Sequence, residues 1–317
     1  MIPSGEPSGR LGRPLWDGRP GRLEVWYATL TDTATGTGYW LHYETVAPTR
    51  ERPEPAPYAH GWIAVFPPDG APRCERFGPA PVSAGDHGAS WVSSGGAVVG
   101  PGLLRGVAGA VSWDLSFEDG SAPIFTFGSA VWHRRLLPAA QCVPWPGATF
   151  RGRCTIDGTE LPVEGRGALA RIYGHSNAER WCWLHADLGE GGVLELVSAT
   201  ARRPSLRRLP PLAMVQLRLP GEPDRPRIPV LAAPLLRTRI GESGFRVAGP
   251  LGLDRLEIDV TLPAGRSVAL AYTDPDGSTA TCTNSEVADA TIVLRRRGSD
   301  RTWDLRGRAH AEIGRRP

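Results

Sequence analysis

The chain has 317 residues, 22% of them charged and 41% hydrophobic, with a formal net charge of +3. This is the ordinary soluble globular range, with length for one large or two ordinary domains, and so small a charge gives no electrostatic case for nucleic acid or acidic lipid. Every Lys/Arg position is arginine, which excludes a Schiff-base lysine and a phosphate loop ending in Gly-Lys-Ser or Gly-Lys-Thr.

Residues 1–20, beginning MIPSGEPSGRLGRPLW, read as a disordered or extended lead-in without the apolar stretch of a signal peptide. Period-two segments follow at 23–30 (LEVWYATL), 38–46 (GYWLHYETV), 61–66 (GWIAVF), 110–117 (AVSWDLSF) and 124–131 (IFTFGSAV). The glycine-rich 96–111 stretch is interrupted by Pro101 and Arg105, so no membrane span is expected. A Pro/Gly break at 144–151 (PWPGATFR) marks a seam between an N-terminal β-domain at 21–147 and a C-terminal β-domain at 148–317. Alternation resumes at 180–187, 192–198, 214–219, 256–262, 266–272 and 290–295, with a short helical turn allowed at 285–289. Turn sequences such as IDG at 156–158 and DPDG at 274–277 agree. The expected fold class is all-β, with meanders closed into barrels or folded into sandwiches. Trp113-Asp114-Leu115 and Trp303-Asp304-Leu305 are a faint echo between the halves.

The strand at 23–30 carries Trp26 and Tyr27. The strand at 38–46 turns Trp40, His42 and Glu44 to one side, where a histidine and a carboxylate can share a proton or a water if buried. On a half-exposed sheet the same face is simply wet. Asp114 lies on the polar face of 110–117, which faces solvent or, in a barrel with a wet lumen, faces inward. His60 and His133 are lone histidines beside tryptophan, of the kind usually found packed. In RIYGHSNAERWCWLHAD, Trp181, Trp183 and His185 share one strand face, preceded by His175, Ser176 and Asn177. That pattern serves core packing or the wall of a small-molecule pocket equally well.

The five cysteines, Cys74, Cys142, Cys154, Cys182 and Cys282, are widely spaced without a C-x-x-C pair, which argues against a disulfide framework or structural zinc and suits a reducing cytoplasm. HExxH, a dinucleotide fingerprint and G-x-S-x-G are absent from the sequence, so no metal or cofactor is expected. Arginines cluster at 202–203, 207–208 and 295–297; these read as solvated rims, with an anionic headgroup contact as the alternative.

Together, EVWYATLTDTATGTGYWLHYE, VPWPGATFRGRCTIDG and above all YGHSNAERWCWLHADL resemble the lipocalin-like superfamily of tocopherol cyclases and carotenoid hydratases, to which fungal pericyclases are related. The resemblance implies two calycin-like β-domains and a hydrophobic polyene, isoprenoid or polyketide substrate processed without a cofactor. It places Trp181 and Trp183 on the cavity wall and His175 where carotenoid hydratases have an acid. Imidazolium is a weaker acid than a carboxylic acid for protonating an alkene, so this departure bears on hydration in particular. Three functions stay open. The first is a cyclase, isomerase or hydratase with His175, Asn177, Asp114 and Glu44 as catalytic candidates, and Trp181, Trp183, His185, Trp40, His42, Trp26 and Tyr27 around the substrate. The others are a carrier of a hydrophobic ligand, and a structural β-protein whose own side chains fill the Trp181/Trp183 face. None of these calls for nucleic acid or an integral membrane segment.

Overall fold

The computed structural model describes residues 8–49, 56–82 and 90–317. The first sheet contains β1 (Arg22–Asp32), β2 (Gly38–Ala47), β3 (Tyr58–Phe66), β4 (Arg73–Pro81), β5 (Val92–Ser94) and β6 (Ala97–Gly100). It continues through β7 (Leu103–Ala108), β8 (Val111–Glu118), β9 (Ile124–Phe125), β10 (Ala139–Ile156) and β11 (Thr159–Gly174). The second sheet contains β12 (Arg180–Gly189), β13 (Gly192–Thr200), β14 (Leu212–Arg218), β15 (Arg237–Ile240) and β16 (Gly244–Leu251), then β17 (Asp254–Thr261), β18 (Val268–Thr273), β19 (Thr279–Arg295) and β20 (Arg301–Arg315). Strand order is β4-β3-β2-β1-β11-β10-β8-β7-β6-β5, with β9 on β10, and β14-β13-β12-β20-β19-β17-β16-β15, with β18 on β19.

Each sheet curls into a nearly closed antiparallel barrel, the pair of lipocalin-like barrels that the resemblance implies. The first is closed by the Ser94 hydroxyl donating to the Ala59 carbonyl, the second by Ser198 and Thr238 hydroxyls 2.7 Å apart. Both interiors are packed with the chain's own residues: Leu30, Leu41, Ile63, Leu115 and Phe150 in the first, Leu184, Leu196, Val247, Ile258 and Ile292 in the second.

Strands differ in how many faces they bury. β8 and β17 alternate buried with exposed residues, one face to the core and one to water. β2, β3 and most of β1 and β12 are buried on both, because the outer faces of the two barrels lie against each other. Sequence periodicity places these strands well but cannot reveal the second cover.

Four expectations need correction. The lead-in is ordered from α1 (Ser8–Leu11) onward, with Leu11 and Trp16 buried. The seam expected at 144–151 falls inside β10, whose hairpin with β11 continues the first sheet to Gly174, so the chain changes sheet between 174 and 180. Its tight turn uses positive φ at Asp157 and Gly158, as the IDG sequence implies. Of the strand expected at 124–131 only β9 forms. Gly128, with φ of 90°, precedes a helical turn, α2 (Ser129–Arg134). Residues 285–289 stay in β19, with register shifts instead of a helix.

The lead-in is held by a buried ion pair. Arg171 Nη2 donates to Glu24 Oε1 at 2.9 Å, and Nη1 donates to the carbonyls of Leu11 (2.6 Å) and Arg13. The guanidinium also stacks over Trp26, 4.3 Å from the ring centroid, and the Trp26 indole donates to the Gly12 carbonyl at 2.7 Å. Desolvation pushes Glu24 up and Arg171 down from their ordinary values, each opposed by its partner. Removing one member leaves the other charged and dry. We expect Arg171→Leu to cost roughly 3–5 kcal/mol in urea unfolding, with part of the loss recovered in the Arg171→Leu/Glu24→Leu double variant.

Candidate active site

β12 turns Cys182, Leu184 and Ala186 into the second barrel's core and Trp181, Trp183 and His185 toward the first sheet. Pairing extends this outer face sideways. His185 lies opposite Glu195 on β13 and His310 on β20, Trp183 opposite Glu312, and Trp181 opposite Gly314. Asn284 pairs with Glu312, which brings β19 onto the same face. The first sheet supplies Tyr27 and Thr29 from β1, Trp40, His42 and Glu44 from β2, His60 and Trp62 from β3, and Gln141 from β10. Two glycines allow close approach. A side chain at Gly314 would overlap the Trp181 indole, and a Cβ at Gly38 would come within 2.6 Å of the Glu286 Cβ.

At one end of this seam, Glu195 Oε1 accepts from Trp183 Nε1 (2.7 Å) and Gln141 Nε2 (2.9 Å), and Glu195 Oε2 lies 3.0 Å from His185 Nδ1. Gln141 also donates to the Tyr27 hydroxyl at 2.5 Å and accepts from Thr126 at 2.8 Å. An imidazole whose Nδ1–H is held by a carboxylate presents a basic Nε2. His185 Nε2 is buried without a hydrogen-bond partner. The His310 ring centroid is 5.9 Å away; its Nδ1 contacts Glu286, which also accepts from Thr29, and its Nε2 lies 3.3 Å from Thr31. Glu286 Oε1 and both polar atoms of the Asn284 side chain are likewise buried and unpartnered.

In the middle, the Trp181 indole donates to Glu312 at 2.5 Å and stacks on Tyr272 with centroids 6.4 Å apart. At the other end, Glu44 Oε2 is 3.5 Å from His42 Nε2 and 3.6 Å from His60 Nε2, and His42 stacks on Tyr272 at 5.4 Å. Burial, partly offset by His60, raises Glu44 to about 7. Burial also lowers His42 to about 3 and His60, despite Glu44, to about 4. Near neutral pH the two imidazoles are uncharged and Glu44 is poised between acid and base, the condition that general catalysis favours. Among the described residues no group of three or more His, Cys, Asp or Glu side chains is arranged to hold a metal ion.

Seven expected site residues meet in the seam: Tyr27, Trp40, His42, Glu44, Trp181, Trp183 and His185. Four do not. His175 is exposed, its Nδ1 2.5 Å from Arg22 Nη1, because β11 ends at Gly174 and the following segment turns outward. Partial desolvation and that guanidinium lower its pKa. Asn177 donates through its backbone (2.9 Å) and side-chain (2.8 Å) nitrogens to Asp274 and so fastens the turn after β18. Asp114 is on the outer face of the first barrel, 3.2 Å from Arg105. Trp26 has the opposite strand parity to Tyr27 and lies in the barrel core. The sequence reading missed Glu195, Glu286, His310 and Glu312. The signal was present in VLELV, a lone acid on an apolar alternation, and in AHAEI, a histidine and an acid two residues apart.

Ionising Glu44 inside the seam opposes folding. Its contribution to stability is therefore complete below the ordinary carboxylate value of 4.5 and is lost as pH rises to about 7. The histidines act in the opposite direction but remain in both proteins when Glu44→Gln is compared with wild type. We expect this variant to gain on wild type by about 3 kcal/mol between pH 4.5 and 8, measured by urea unfolding across that range.

No protein-family model matches the sequence. A Nitrosomonas europaea protein assigned as AttH superposes with a TM-score of 0.59 at 15% identity, over 92% of each chain. Kievitone hydratase from Nectria haematococca gives 0.60 at 12%, over 98% of this chain and 93% of its own. CghA gives 0.55 at 14%, over 93% and 88%. At such identities the likeness establishes the two-barrel fold. Two Mycobacterium tuberculosis sequences, uncharacterized protein Rv0493c of strain H37Rv and uncharacterized protein MT0513 of strain CDC 1551, are each 47% identical over 302 residues, covering 95% of this chain and 88% of theirs. The chain belongs to the family of these two mycobacterial proteins, built on paired lipocalin-like barrels.

Proposed function

We propose that the protein is an enzyme of the hydratase, cyclase or isomerase type, acting without a cofactor on a hydrophobic small molecule in the seam between its barrels. The observation that carries this reading is the Glu195–His185 pair, in which a carboxylate fixed by two further donors orients an imidazole whose Nε2 is dry and unpartnered. His185 takes a proton from the substrate or from an attacking hydroxyl. Glu44, titrating near neutrality, supplies or receives the proton at the other end. The indole faces of Trp181, Trp183, Trp40 and Trp62 shape an apolar substrate and stabilise developing positive charge. The hydratase named among the fold neighbours supports an activity of this class. Because the lining side chains are almost wholly buried, substrate binding displaces aromatic side chains or parts the two sheets.

One observation favours a second reading. Trp183 is met edge-on by Tyr27 at 5.3 Å and Trp181 is stacked on by Tyr272, so the chain's own rings cover the face, as in a purely structural interface. Incubation with a panel of polyenes, isoprenoids and unsaturated polyketides, followed by chromatography and mass spectrometry, separates the readings. Turnover gives a product heavier by one water, or an isomer of altered retention. We expect His185→Gln and Glu195→Gln to lower product formation roughly 10²–10⁴-fold while a substrate still binds. A ligand retained unchanged by wild type marks a carrier, and neither binding nor turnover marks the structural role.

A further inference from the structure

The arginine clusters visible in the sequence fall into two kinds. Arg295 and Arg296 are neutralised, Arg295 by Glu257 and Asp300 and Arg296 by Glu222 at 3.0 Å. The pairs at 202–203 and 207–208 lie in the turn joining β13 to β14, where Arg202 is held 2.7 Å from Asp276 and 3.7 Å from Asp274. Among the described residues, the side chains of Arg203, Arg207 and Arg208 are in no hydrogen bond or ion pair. The small charge of the whole chain hides this local surplus.

Apolar side chains are interleaved with these arginines. Leu206, Leu209 and Leu212 are 38%, 56% and 51% exposed. Residues 203–210 are exposed without interruption, and backbone bonds from Leu206 N to Arg203 O and from Leu209 N to Leu206 O hold the segment in consecutive turns. A second exposed leucine edge adjoins it. Leu235, 57% exposed, stands three residues before Thr238, which bonds Ser198, and Ser198 pairs with Ala213 beside Leu212. Acids do exist nearby. Glu179 and Glu242 border the hollow beneath Arg207 and Leu209, but Arg180, Arg315 and Arg316 border it too.

We propose that this basic, leucine-bearing turn docks the protein on the surface of an anionic lipid bilayer, with arginines on headgroups and leucines at the acyl boundary. The combination of free cationic charge with exposed leucine fits that surface, which rewards both at once. A nucleic acid would reward the charge alone. The proposal is independent of any activity assigned to the seam.

The test is sedimentation of the full chain with vesicles of phosphatidylcholine alone and of phosphatidylcholine with about 30 mol % phosphatidylglycerol. Wild type is expected to sediment with the anionic vesicles only. The Arg203→Ser/Arg207→Ser/Arg208→Ser variant should lower the partition coefficient about 100-fold, at about fivefold per arginine. Leu206→Ser/Leu209→Ser should weaken whatever binding survives at high salt, where the charge contribution is screened. Unchanged thermal melts establish that both variants fold. The proposal is overturned if wild type ignores anionic vesicles, if both variants bind as wild type does, or if free glycerol phosphate displaces the protein, which would mark a simple anion site.

Discussion

The structure depends on the burial of one barrel's outer face against the other's. A barrel normally keeps polar residues on its outside, where water satisfies them. Here that outside is largely removed from water, so Glu44, Glu195, Glu286, His42, His60, His185 and His310 all lie in a layer with almost no solvent contact, with the half-buried Glu312 beside them. In such a layer each polar group must find a partner in its own sheet or across the gap, or remain unsatisfied at a cost of about 1–3 kcal/mol. Most find one, and the exceptions gather on His185, Asn284 and Glu286 at one end, and on the two histidines around Glu44 at the other.

The same side-chain type acquires different characters along the seam. Glu195 is gripped by an indole, an amide and an imidazole, while Glu44 faces two imidazoles beyond normal hydrogen-bond distance and is governed mainly by desolvation. Glu195 is thus committed to holding an imidazole in place, while Glu44 is left without a donor at normal hydrogen-bond distance. The aromatic residues between them, Trp40, Trp62 and Trp181 among them, are buried and keep the layer dry.

Much of this was legible in the sequence. Alternation in GYWLHYETV and RWCWLHAD gives the strands and the correct grouping of Trp40 with His42 and Glu44, and of Trp181 with Trp183 and His185. What alternation cannot supply is which face is covered and by what. That depends on contacts such as Gln141 to Glu195, 54 positions apart, and Thr29 to Glu286, 257 positions apart. His175 misled for a related reason. Proximity in sequence to the tryptophan strand suggested a shared pocket, yet the strand end at Gly174 and the Arg22 contact place it outside. The domain seam misled because a Pro/Gly-rich stretch in this chain bends a long strand without ending it.

The solid interiors of the two barrels carry a consequence for divergence. Where a barrel encloses its ligand, each change of specificity is also a change of core packing and is limited by stability. Here the packed cores and the polar seam use opposite parities of the same strands. Substitutions at every second position can therefore explore new chemistry while the intervening positions hold the fold. A lineage built this way is free to change what it recognises faster than it changes its shape.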